Sequence, residues 1–366
     1  MRTLFKTDYD IDIRLVSHAG QVFWYGLLGL VLLALPYLLD RFLIGEATSV
    51  LIWSIAGMGL MILVGQAGQG SLGHAAFLAV GCYANTLLQD RLGLPFPLSL
   101  PLAALISGAA GVALALPTAR LHGIYLAIAT LAISVLVEDI IVLAEPLTGG
   151  VNGLVAPTIT LFGFAIDRYA NPGAFYYLVL AVTVIVVLVY LNLLRSPTGR
   201  AFAAVRDSEV SARAMGVNVA RTKAVAFGLS TAVTGVAGAL MGHFAGVFNQ
   251  DSFTLVISIQ LLMMVVIGGV GSIHGAFFGA LVVVMLPQLI VAVRDLAAAL
   301  TGQGSVAIPG LESAVFGAIL ILFILFEPRG IYGRWLKIRT FFDLFPFYRK
   351  SMFRRQKSYL KTERMR

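Results

Sequence analysis

Residues 47–89 read "ATSVLIWSIAGMGLMILVGQAGQGSLGHAAFLAVGCYANTLLQ", 43 residues without Asp, Glu, Lys or Arg. One helix needs about 20 apolar residues to cross a hydrocarbon core, so this run holds two. The Gly-rich "GQAGQGSLG" at 65–73 divides them. The pattern returns at 252–293, 42 residues long, divided near "GGVGSIHG" at 268–275. Continuous apolar runs exclude the alternation of a β-barrel.

Six further runs of spanning length lie at 15–39, 92–119, 122–144, 169–194, 224–250 and 309–327. With the two divided runs they predict an all-α polytopic membrane protein of about ten transmembrane helices. Composition agrees: the mean hydropathy is +0.91, 59% of residues are hydrophobic and only 12% are charged. The first run lacks a small-residue cleavage pattern and is expected to be a retained helix. Cys82 is the only cysteine, so no intrachain disulfide forms.

Basic residues set the orientation. With both termini on one side, that side holds 22 of the 26 Lys and Arg. The other side holds Arg41, Arg91, Arg168 and Arg294. The expected layout is a cytoplasmic tail at 1–20, a membrane domain at 21–327 with a cytoplasmic loop at 196–222, and a basic cytoplasmic tail at 328–366. The basic residues and aromatics of that last tail suit a lipid surface and not nucleic acid.

The loop gathers charge in a chain that avoids it. "GRAFAAVRDSEVSARAMGVNVARTK" at 199–223 places six charges between Arg206 and Lys223. Ala201 to Met215 has no Pro or Gly, which predicts one helix. Phe202, Val205, Ala212 and Met215 would share its apolar face, Arg206, Asp207 and Arg213 would lie away from it, and Gly216 would cap its end. An amphipathic helix lying on the membrane is the plain alternative. A helix fixed at both ends between spans is better suited to pass force from a cytoplasmic partner into the bundle.

This loop resembles the cytoplasmic coupling loop of ABC importer permeases, and more narrowly that of the branched-chain amino-acid permeases of LivM type. "GQGSLGHAAFLAVGCYA" at 68–84, "LTGGVNGL" at 147–154, "GGVGSIHGAFFGA" at 268–280 and "FEPRGIYGRW" at 326–335 resemble the same family in order and spacing. The resemblance implies import of leucine, isoleucine or valine across a bacterial inner membrane. It also implies a LivH-type permease partner, two ATPase subunits and a periplasmic binding protein. By carry-over, Arg206, Asp207, Glu209 and Arg213 would lie near the ATPase docking surface, with Ala212 and Gly216 allowing close approach. Relatives that carry urea, other amino acids or aromatic acids are not separated by any residue set here.

No cofactor is expected on this chain, and ATP would be used by the partner subunits. None of its six lysines follows a glycine, so it has no phosphate-cradling Gly-Lys-Ser/Thr loop and is not expected to be an enzyme. "GQGSLG" fits a dinucleotide pattern but has no strand before it and reads as a helix break. An ion-coupled transporter would need ionisable residues near the midplane. Glu138, Asp139 and Glu312 fall near outer helix ends, where solvated interface positions are expected. His74 and His243 lie in spans without metal-ligand spacing. A membrane scaffold or receptor is disfavoured by the central loop.

The two Gly-rich breaks match at six of twelve positions over 68–79 and 269–280. Internal duplication and chance in a Gly/Ala-rich chain both account for this. Paired broken helices often line a transport path. Gly70, Ser71, His74, Gly271, Ser272 and His274 are therefore candidate path or gate residues. Thr148, Gly149, Gly150 and Asn152 are, by the resemblance, a candidate outer entrance. Gly235, Gly238, Gly242 and Gly246 form a small-residue stripe for close helix packing, within the chain or against a partner permease.

Overall fold

The computed structural model describes residues 19–118, 121, 123–161, 163–301, 310–327 and 330–344. Nearly all of the predicted N-terminal tail, Arg120 and the end of the C-terminal tail lie outside them. So does the side chain of Glu312.

Each predicted apolar run falls on a helix. The first is α1 (Ala19–Leu38). The first divided run becomes α2 (Arg41–Met61) and α3 (His74–Asp90). Then come α4 (Phe96–Thr118), α5 (Ile124–Leu143), the short α6 (Glu145–Thr148) and α7 (Pro172–Arg195). The charged loop forms α8 (Pro197–Asp207) and α9 (Glu209–Ala214), and α10 (Val219–Ala245) follows. The second divided run becomes α11 (Leu255–Gly268) and α12 (Ile273–Thr301), then α13 (Leu311–Phe326). Part of the expected C-terminal tail is also helical, as α14 (Gly330–Leu344).

Seven of these helices, counted among the described residues, are long and apolar enough to cross a membrane. The chain is thus a mostly helical polytopic membrane protein. It is not purely α. Strands β1 (Leu154–Val155) and β4 (Val247–Phe248) pair antiparallel, and β2 (Ile159–Leu161) and β3 (Phe164–Ile166) form a hairpin.

Burial ranks the helices. The most apolar window of α2 is 72% buried and that of α10 is 61%, against 22% for α5. Helix α10 packs along α2, α3 and α4, while α12 and α7 pack on α2. The outer faces of α1, α4, α5 and α7 expose large apolar side chains, among them Trp24, Leu105, Ile124 and Ile185, as lipid-facing helices do. The glycine stripe of α10 is used within the chain: a Cβ on Gly238 would overlap the Leu78 carbonyl of α3. In turn, a Cβ on Gly81 would overlap Gly235 of α10. Such contact substitutes for the hydrophobic drive that lipid does not supply.

Candidate functional site

The two Gly-rich breaks meet. Helix α2 ends in a π-turn, Ile62–Gln66, where the Ala67 N–H reaches back to the Ile62 carbonyl. A π-turn leaves the ladder irregular and frees carbonyls. The second break turns at Gly269 (φ 117°) and Gly271 (φ 87°), conformations that side-chain-bearing residues rarely adopt. Across the gap, the Gln66 amide donates to the Gly271 carbonyl at 3.1 Å. It also donates to the Tyr190 hydroxyl of α7 at 3.2 Å. A Cβ on Gly65 would fall 2.8 Å from the Gly271 nitrogen, so the two backbones touch.

The cytoplasmic loop reaches this junction. Arg206 Nη1 donates to the Gly65 carbonyl at 3.0 Å, and Arg206 Nε donates to Asp207 Oδ1 at 3.1 Å. A Cβ on Gly68 would lie 2.7 Å from Arg206 Cγ. A polar cleft of about 270 Å³ separates the loop from the first break, lined by Gly68, Gln69, Asp207, Ser208 and Lys223 among others.

The loop differs from the single helix expected. Ser208 is extended (φ −164°, ψ 113°), and its hydroxyl accepts from the Ser211 N–H to cap α9. Serine followed by Glu209 in a first turn is a helix-start signal that breaks the run. Ser196 caps α8 in the same way, with Pro197 at its first position, so this turn opens a helix. Gly216 (φ 85°) ends α9, with its N–H on the Arg213 carbonyl and the Val217 N–H on Ala212. That is a double C-terminal cap, at the position expected.

The break moves the apolar face. Phe202, Val205 and Ala212 are buried, but Met215 is 85% exposed. Ala212 packs on Val205 and Val219 and so faces the protein interior. Glu209 also turns inward, accepting from the buried Lys223 Nζ at 2.6 Å. Asp207 and Met215 line a shallow groove of about 620 Å³ between α8 and α9, and Val210 and Arg213 are exposed on α9.

Ser71 and His74 belong to a closed buried network. His74 Nε2 lies 2.8 Å from Ser230 Oγ, whose proton goes to the Gly59 carbonyl at 2.6 Å. His74 therefore donates from Nε2 and accepts the Ser71 hydroxyl on Nδ1 at 2.9 Å. Gly70 meets nothing within 4 Å of a built Cβ. In the second break, Ser272 accepts from the Gly275 N–H and starts α12, and the exposed His274 stacks on Tyr332 of α14. The matching residues of the two breaks thus hold different partners.

The outer segment is a tight cap. The Thr148 hydroxyl donates to carbonyls at the end of α5, and Gly149 and Gly150 both have positive φ. Asn152 is exposed. The β1–β4 pairing ties this segment to the end of α10. Asp139 is exposed as expected, but Glu138 is only half-exposed. Sequence reasoning missed Gln66, Tyr190, Lys223 and Ser230. Gln66 and Gln69, two glutamines within the glycine cluster of an apolar run, were the available signal.

Residues 42–324 match the model of the family described as branched-chain amino acid transport system, permease component. The chain belongs to this permease family. It is 33% identical over 322 residues to the high-affinity branched-chain amino acid transport system permease protein LivM of Salmonella typhimurium, covering 82% of this chain and 72% of that one. The LivM protein of Escherichia coli is likewise 33% identical, over 83% of this chain and 74% of its own. A probable LivH permease of Methanocaldococcus jannaschii is 26% identical over 73% and 84%. No solved structure matches the permease.

Proposed function

We propose that this permease is the membrane subunit of an ATP-driven importer of branched-chain amino acids in a bacterial inner membrane. Ten helices (α1–α5, α7 and α10–α13) cross the bilayer, with both termini and the α8–α9 loop in the cytoplasm. A LivH-type permease pairs with it, two separate ATPases bind below, and a periplasmic protein delivers the cargo. The names of its relatives, which include both LivM and LivH permeases, support this cargo and this pairing.

The observation that carries the mechanism is the Arg206–Gly65 hydrogen bond. The ATPases dock on the exposed rim made by Asp207, Val210, Arg213 and Met215. Glu209 and Ala212 hold the loop to α10 from within, and Gly216 sets its return. A push on the loop reaches Gly65, and through Gln66 it reaches Gly271 and Tyr190. The two breaks then change their mutual seating and switch the bundle between inward- and outward-facing states. Gly70, Ser71, Ser272 and the histidines beside them shape this gate as packing and capping residues.

The test is reconstitution of the chain with its permease partner, ATPases and binding protein in proteoliposomes. ATP-dependent accumulation of labelled leucine that needs every component is the expected result. Uptake without the ATPases, or none of any branched-chain amino acid, contradicts the reading.

A further inference from the structure

Among the described residues, four buried side-chain atoms have no hydrogen-bond partner: the Tyr83 hydroxyl, Ser134 Oγ, Glu138 Oε1 and Gln250 Oε1. Native folds pair nearly all such atoms, so each orphan calls for an explanation. These four share one seam. Tyr83 is on α3, Ser134 and Glu138 are on α5, and Gln250 opens the 3₁₀ turn Gln250–Phe253. The three elements pack on one another.

Contacts link the positions that carry these atoms. Ser134 and Glu138 are four apart and adjacent on one face of α5. Residues three apart eclipse in a 3₁₀ turn, so Gln250 shares a face with Phe253. The Tyr83 ring packs on Phe253 at 6.2 Å between centroids. Helix α5 packs on the same turn. Tyr83 is 6% exposed and Ser134 fully buried. The outer cap of residues 148–155 lies beside this turn through the β1–β4 pairing.

Two oxygens of the seam lack a donor. Ionised Glu138 Oε1 and Gln250 Oε1 can only accept, and both hydroxyls can accept as well as donate. Asp139 and Asp251 add negative charge near Glu138. No group of three His, Cys, Asp or Glu suited to a metal occurs among the described residues. A small cation that brings several N–H donors fits this set. On the cargo reading given above, we propose that the seam binds the α-ammonium group of the amino acid at the outer end of its path. The trail continues inward: Thr130, one turn from Ser134, accepts the Leu72 N–H at the first break.

The test uses the complete transporter in nanodiscs carrying Val247→Cys, an exposed position on β4 three residues before Gln250. Cys82, this chain's native thiol, is buried. Modification by an impermeant thiol reagent is read on this chain by mass spectrometry, with leucine or with 4-methylpentanoate, the same skeleton without the amine. Leucine should slow modification about tenfold, the size of one charged hydrogen bond, and the deaminated acid should not. Glu138→Gln should remove the protection, and Ser134→Ala should weaken it. Equal protection by both compounds, protection by neither, or protection unchanged in Glu138→Gln overturns the site. ATP-driven leucine uptake by the same complex in proteoliposomes separates the two levels. Uptake without protection rejects the site alone, and no uptake rejects the cargo reading and the site together.

Discussion

The Gln66 amide and the Gly271 carbonyl, 205 residues apart in the chain, are joined by a 3.1 Å hydrogen bond at the meeting point of two broken helices. A second bond from the same amide reaches Tyr190. Gln66→Leu keeps the volume but orphans the Gly271 carbonyl and the Tyr190 hydroxyl. A buried group left without its partner costs about 1–3 kcal/mol. Leucine uptake should fall severalfold with normal membrane insertion, while Tyr190→Phe, which removes one bond, should cost less. Equal, wild-type uptake in both variants would remove Gln66 from the gate.

Lys223 and Glu209 make the tie that holds α9 to α10. Lys223 is 5% exposed, so stripping its partner leaves a charge in a poorly solvated site. Glu209→Leu should destabilise the chain by about 2 kcal/mol or more, and Lys223→Met in the same chain should recover most of that. Thermal unfolding of the detergent-solubilised complex reads both. An unaltered midpoint in the single variant would place this pair among ion pairs of little consequence.

Close packing of α10 on α3 sets a steric test. Gly238→Leu drives a side chain into the Leu78 backbone and should abolish accumulation of folded chain. Gly26→Leu, where a built Cβ meets nothing within 4 Å, should accumulate normally. Equal yields of the two variants in membranes would contradict the packing.

Much of this fold was legible because crossing a membrane is a matter of apolar length. The runs at 47–89 and 252–293 divide at their glycines because side-chain-bearing residues rarely take φ values such as those of Gly68 and Gly271. The Gly216 cap was legible for the same reason. Ser208 was not, because helix propensity favoured an unbroken run and a single serine cap overrode it. That break turned Met215 outward. The inward turn of Lys223 and the bonds of Gln66 depend on which distant segments meet, and periodicity carries no information about partners 124 or 205 residues away. The matched Ser71 and Ser272 suggested matching roles, yet the Ser71 hydroxyl donates to the buried His74 while Ser272 caps the start of α12.

Orientation has its own test, since it rests on the distribution of basic residues. Cysteines placed at Gly150 and Asn249 should react with an impermeant thiol reagent added outside intact cells, and one at Ser208 should react only after the membrane is opened. Labelling of the Ser208 position from outside would invert the topology and remove the loop from the ATPases.

The most direct measurement is the ratio of leucine transported to ATP hydrolysed by the reconstituted complex carrying Arg206→Ala. Arg206 alone reaches from the loop to the Gly65 carbonyl by a side-chain hydrogen bond among those observed, while the Glu209–Lys223 tie keeps the loop folded without it. The account predicts continued ATP hydrolysis with a ratio about tenfold lower, the loss of one charge-assisted hydrogen bond. A ratio equal to that of the unaltered chain, at equal hydrolysis, would show that force reaches the breaks by another route and would contradict it.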